Sequence, residues 1–202
     1  MSNHRWIIVA AGVIAVVALV VLLWPRPLAG EVQRAGAARL MNELMSGKAA
    51  VGGPFALTDQ FGRERSLGEF RGRVVLLYFG YAYCPDVCPT DLAAIGGTLR
   101  ELGPRANEVQ PVFVTLDPQR DTPDVLRQYV AAFHPRFVAL RGSEAQTREV
   151  ALKYKLFYQR VDERFIDHSA FTFLLDRNGG YVGFFPPGTR SDRMAAMVRE
   201  SL

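Results

Sequence analysis

The hydrophobic pattern divides this chain before any motif is considered. From Trp6 to Trp24 runs WIIVAAGVIAVVALVVLLW, nineteen residues with no charge and no polar side-chain group beyond the two indole N–H donors. As a helix rising about 1.5 Å per residue it reaches roughly 28 Å, close to the hydrocarbon thickness of a bilayer. A tryptophan at each end suits the interfacial aromatic belt. A cleaved signal peptide is the rival, but its apolar core usually runs about 7 to 15 residues. Pro27 also interrupts the small-x-small pattern before Gly30, and Glu31 stands where a lipoprotein would need its cysteine. The pattern therefore predicts a five-residue head (1–5) and a retained transmembrane anchor (6–24). Charge does not orient it: Arg5 precedes the span, while Arg26, Arg34 and Arg39 follow it.

Residues 25–50 read as a linker, with prolines near one end and glycines beyond the other. Residues 51–202 are rich in Phe, Val, Leu and Tyr and are long enough for one domain with its own core. Within them, 55–67 predicts two short strands around a turn at Gly62. RVVLLYFG (73–80) is a continuous apolar run, as a strand buried on both faces requires. Pro89, Thr90 and Asp91 then open a helix through Leu102. A strand (109–117), a helix (122–133), a short strand (137–142) and a helix opened by Ser143 (143–157) follow. SAFTFLLD and YVGFFP make a hairpin turned at Asn178-Gly179-Gly180, and a last helix spans 190–202. This order is an α/β pattern of two or three layers.

The net charge of +4 is spread over both signs, with no Lys/Arg cluster interleaved with aromatics, so nucleic acid is not an expected partner. The chain's two cysteines, Cys84 and Cys88, lie in YFGYAYCPDVCPTDL, directly after the first buried strand and at the start of a helix. That is the thioredoxin-type arrangement. A purely structural bridge would close a very small loop and contribute only about 2 kcal/mol by the chain-entropy model. Both thiols sit where a helix N-terminus favours thiolate, the form that exchanges disulfides and binds metal. Three residues separate them, one more than in the usual thioredoxin motif.

A metal would ask for further ligands, and the chain has three histidines. His4 precedes the anchor, and His134 falls at a helix end before a proline. His168 enters an apolar strand from a polar loop, where its side chain can project at the sheet edge. Two thiolates and one imidazole form a soft, low-coordinate set suited to Cu(I), or with an added ligand or water to Cu(II). A structural zinc site would need four protein ligands. The residues thus favour copper at Cys84, Cys88 and His168.

GYAYCPDVCP (80–89), VTLDPQRDTP (114–123) and DHSAFTFLLDRNG (167–179) together resemble the Sco/SenC family of membrane-anchored copper proteins, over roughly residues 50–202. The resemblance implies a thioredoxin-like domain on the periplasmic side of an inner membrane, or in the intermembrane space of a mitochondrion. It implies copper held by Cys84, Cys88 and His168. It also implies service in assembling the dinuclear copper centre of cytochrome c oxidase, as copper donor, as reductant of that centre's cysteines, or both. The implied partners are a copper-accepting oxidase subunit, other copper chaperones and thiol reductants. Tyr83 departs from the histidine that often precedes the first cysteine. Asp117, Arg120 and Asp121 read as a fold-fixing turn and ion pair or as groups that tune the site, with the first favoured, and Asp86 as a loop-shaping or docking charge.

Two functions follow: a copper metallochaperone with no turnover chemistry, or a thiol–disulfide oxidoreductase. A thioredoxin-type oxidoreductase usually has a proline before the strand that faces its thiols. Here no proline occurs between Pro135 and Pro186, and the strand is entered through Asp167-His168-Ser169. A histidine in that place favours metal.

Overall fold

The computed structural model describes residues 39, 41–43 and 50–202. The chain divides into two units, Met1–Met41 and Asn42–Leu202, and the described residues belong almost entirely to the second. The expected head, anchor and most of the expected linker lie outside the described residues. No helix among the described residues is long and apolar enough to cross a membrane.

The strand expected at 73–80 is the centre of the fold. β3 (Val74–Gly80) is buried along its whole length, flanked by parallel β4 (Val109–Thr115) and antiparallel β8 (Thr172–Leu175). Its side chains alternate between two cores. Val74, Leu76 and Tyr78 face one, and Val75, Leu77 and Phe79 the other. This two-residue period inside an unbroken apolar run is what a strand covered on both faces demands. With β1 (Ala56–Asp59), β2 (Glu64–Ser66), β5 (Val138–Arg141) and β9 (Tyr181–Phe185), the sheet has the order β2-β1-β5-β4-β3-β8-β9.

Three helices cover the first face: α1 (Val87–Leu102), α2 (Pro123–Ala131) and α4 (Ser191–Ser201). They bury Leu92, Ile95 and Leu99, then Leu126 and Val130, then Met194 and Val198. The second face is covered by α3 (Glu144–Lys153) and a 3-10 turn at Leu67–Phe70. Three layers result. Each large apolar side chain fully withdrawn from water contributes about 1.5–3 kcal/mol relative to exposure.

Besides α1, which opens at Val87 and not at Pro89-Thr90-Asp91, two features differ from expectation. α3 stops at Lys153, not near 157, because the core claims Tyr154 and Leu156. Lys155 adopts φ 54°, and the amides of Leu156 and Lys155 donate to the carbonyls of Ala151 and Leu152. That closes a Schellman-type cap with a lysine where glycine is usual. The second difference is a separate ribbon of β6 (Tyr158–Arg160) and β7 (Ile166–His168), paired antiparallel. It supplies His168.

Candidate metal centre

The end of β3 and the start of α1 place the two sulfurs. Gly80 ends the strand, and Tyr81 to Asp86 turn the chain into α1 with Cys84 on the turn and Cys88 in the first helical residues. The amide of Cys84 donates to the carbonyl of Tyr81 at 3.2 Å, and the amide of Cys88 donates to Cys84 Sγ at 3.5 Å. Asp86, the residue before the helix, caps no amide with its side chain and is exposed; its carbonyl takes both the amide and the hydroxyl of Thr90. Both cysteines are buried, Cys88 at 0% exposure and Cys84 at 9%, so Cys84 lies the nearer to the surface. They are unbridged.

Gly80 is required by this packing. A Cβ there would stand 2.8 Å from Cys88 Sγ and 2.9 Å from Tyr78 Cε1. The strand thus lies against the buried sulfur with no room for a methyl group.

β7 brings in the third group. His168 Nε2 lies 3.5 Å from Cys88 Sγ, and the three candidate ligand atoms all lie within 4.8 Å of one another. The imidazole is held edge-on between Tyr78 and Tyr81, at centroid distances of 6.5 and 6.0 Å. Its Nδ1 has no hydrogen-bond partner, so the ring is oriented by the aromatic packing together with the contact of Nε2 to the sulfur. His134 is elsewhere, accepting the amide of Arg136 beyond α2, and His4 lies outside the described residues.

The ribbon that carries His168 is anchored by the segment Asp117–Asp121. Asp117 is fully buried and binds two guanidiniums, that of Arg120 and that of Arg160 on β6, the latter at 2.7 Å. Arg120 also donates to the carbonyl of Arg164 at 2.9 Å and stacks on Tyr83 and Tyr81 at 5.2 and 5.9 Å. One buried carboxylate thereby ties the cysteine loop to the histidine ribbon. Asp121 acts closer to the loop, accepting the amide of Ala82 and the hydroxyl of Thr115. The expected fold-fixing role of these residues is present, and it converges on the site.

Electrostatics separate the two thiols. The thiol of Cys88 and then the imidazole of His168 donate toward Cys84, holding it well below the ordinary thiol range. Its neighbour moves the opposite way: the Cys84 thiolate and burial push the Cys88 thiol up. The first thiolate therefore forms at the sulfur nearer the surface.

The donor set fits a soft ion. Sulfur and nitrogen bound at about 2.3 and 2.0 Å to one trigonal first-row ion would stand ~3.7 Å apart, near the 3.5 Å between Cys88 Sγ and His168 Nε2. The set is low-coordinate and walled by Tyr78 and Tyr81, which suits monovalent copper better than zinc.

Comparison with known proteins agrees with this geometry. The family model described as SCO1/SenC matches residues 43–202. The chain belongs to the SCO1/SenC family. Among curated SCO relatives, the SCO2-like protein RP587 of Rickettsia prowazekii is 41% identical over 189 residues, covering 89% of this chain and 87% of that protein. The copper-bound ScoI structure of Bradyrhizobium japonicum matches with a TM-score of 0.70 and 36% identity, covering 76% of this chain and all of that one. Copper-bound ScoI of Arabidopsis thaliana matches at 0.71 and 31%, over 75% and 98%. The mixed α/β fold is thus the thioredoxin-like SCO1/SenC fold.

Sequence reasoning did not find the aromatic cage of Tyr78 and Tyr81, the steric role of Gly80, or Arg160. A tyrosine in the buried run at 73–80 was a usable signal, since a phenol placed there must face a polar neighbour or a site. Asp91 was read only as a helix opener. It is 3% exposed, one oxygen accepts the amide of Gly188 at 2.8 Å, and burial pushes its carboxyl up.

Proposed function

We propose that this protein is a membrane-anchored copper metallochaperone that loads the dinuclear copper centre of cytochrome c oxidase. In this reading residues 6–24 anchor it, 25–50 tether it, and the domain from residue 51 holds copper on the periplasmic side of an inner membrane. Cys84, Cys88 and His168 are the ligands. The observation that carries the proposal is the meeting of those three donor atoms within 4.8 Å, brought from α1, its leading turn and β7. Membership of the SCO1/SenC family and the copper in two family structures support it.

Copper is cargo here, so the site must release what it binds. Cys88 is fully buried and His168 is caged, whereas Cys84 stands nearer the surface beside Tyr83, which is 54% exposed. An incoming thiolate meets Cys84 first and displaces it, while the other two ligands keep the ion until a second acceptor donor arrives.

The asymmetry of the thiols favours a second reading, a thiol–disulfide oxidoreductase. The depressed outer thiol attacks a target disulfide and the inner one resolves the mixed disulfide. A copper(I) titration of the reduced protein, with the oxidised protein as control, tests the first reading. One tightly held copper per reduced chain and none per oxidised chain is the expected result; equal weak binding by both forms would overturn it.

A further inference from the structure

Beside the metal centre lies a groove of about 490 Å³ that none of its chemistry uses. One wall is α3, and the other is the β6–β7 ribbon with the segment that follows β4. Its floor is apolar, formed by Leu116, Ala151, Leu156 and Ile166. Two large apolar side chains stand at its rim with most of their surface in water, Leu152 at 65% and Phe157 at 55% exposure. Exposed apolar groups around a concave surface of this size mark a place where another molecule is covered.

Two polar groups narrow what that molecule is. Thr147 lines the groove at 1% exposure, yet its hydroxyl has no hydrogen-bond partner. A buried hydroxyl left unmade is costly, so a guest that accepts from it is favoured. Arg148, next in sequence, lines the groove, is exposed, and makes no ion pair or hydrogen bond among the described residues. Glu144 accepts only from the neutral amide of Gln119 and keeps its negative charge, while the single Asp117 carboxylate serves two guanidiniums, those of Arg160 and Arg120. With Arg148 added, guanidiniums outnumber carboxylates at the groove, and the complement of that excess is a carboxylate.

We propose that this groove docks the copper-accepting polypeptide, through a segment that seats a bulky apolar side chain on the floor and sets an adjacent Asp or Glu against Arg148 and Thr147. The choice of occupant rests on the copper-delivery reading above and on position. Ile166 belongs to the floor, and Tyr158, directly opposite His168 in the ribbon's register, lines the wall. A polypeptide held there lies along the element that presents His168.

The test uses full-length protein in detergent, copper-loaded, titrated with the purified copper-accepting subunit of its own oxidase. Leu152→Asp and Arg148→Glu should each weaken that association at least tenfold, as loss of an interface anchor does. Both should leave the copper affinity of the protein alone within twofold, which also reports an intact fold. Val182→Asp, on the exposed side of edge strand β9, is the control and should bind the acceptor as the parent does. The docking site is wrong if the groove variants bind like the parent, or if Val182→Asp weakens binding as much as they do. A parent that takes copper but never binds the acceptor saturably also overturns docking while leaving the copper reading standing. A parent that takes no copper overturns both.

Discussion

Gly80→Ala is the most informative single change in this protein, because it tests the packing behind the site without touching a ligand. Gly80 is not in the left-handed region, so its backbone accepts an alanine and the effect is steric alone. The added methyl would stand 2.8 Å from Cys88 Sγ, 2.9 Å from Tyr78 Cε1 and 3.3 Å from Phe113 Cε2. Non-bonded heavy atoms rest at about 3.5–4.0 Å, so the sulfur must yield roughly 0.7 Å or more and the phenol ring roughly 0.6 Å or more. Neither has slack, since both side chains are fully buried. Overpacking of this kind costs about 1–3 kcal/mol. A shift of that size also moves Cys88 Sγ out of register with His168 Nε2, and copper(I) affinity should fall at least tenfold. Gly183→Ala on β9 is the control: nothing lies within 4 Å of its new Cβ, and it should change stability by less than about 1 kcal/mol. Urea unfolding gives the stability, and competition with a copper(I) chelator gives the affinity. A Gly80→Ala protein that matches the parent in both would refute the account of how β3 positions Cys88.

Other expectations follow from the same geometry. Asp117→Asn leaves Arg120 and Arg160 without their counter-charge; since the Arg160 side chain is 41% exposed, the loss should be at most about 3 kcal/mol in urea unfolding. It should also weaken copper about 10- to 100-fold by freeing the His168 ribbon, and unchanged affinity would show that the ribbon needs no such anchor. Because Cys84 favours thiolate and Cys88 is pushed up, copper binding at two sulfurs should release the Cys88 proton near neutrality. Affinity should then rise about tenfold per pH unit between about pH 6 and 8, and a flat profile would contradict two-sulfur ligation. Asp121 is pushed up to about 6 by burial, from 3.8. Its stabilising contribution is fully present below about pH 4 and is lost as pH rises through about 6. Relative to Asp121→Asn, the parent should lose up to about 3 kcal/mol between pH 4 and 7, and parallel curves would refute this.

Much of the fold is written locally. The apolar run at 73–80 announced a doubly covered strand, and the Asn178-Gly179-Gly180 turn announced the β8–β9 hairpin; both are present. The β6–β7 ribbon was not legible. Its strands, YQR and IDH, are three residues each and largely polar, too short to show a period, and they pair only with each other. The end of α3 was hidden for a different reason: helical periodicity continues past Lys153, and only the core's claim on Leu156 breaks it. The three candidate ligands stood out by residue type and placement. Their support did not, because Gly80, Tyr78 and Arg160 act through contacts between segments far apart in the chain.

The most direct test of the copper assignment is His168→Ala with two readouts on the same preparation. His168 comes from β7, while disulfide exchange needs only Cys84 and Cys88 on α1 and its leading turn. Copper(I) affinity should fall at least as far as loss of an outer partner would bring it, 10- to 100-fold. The dithiol should still oxidise and be reduced as in the parent, and oxidase assembly should fail. A variant that has lost its copper and yet supports normal oxidase assembly would contradict the account, because the two cysteines alone would then perform the function.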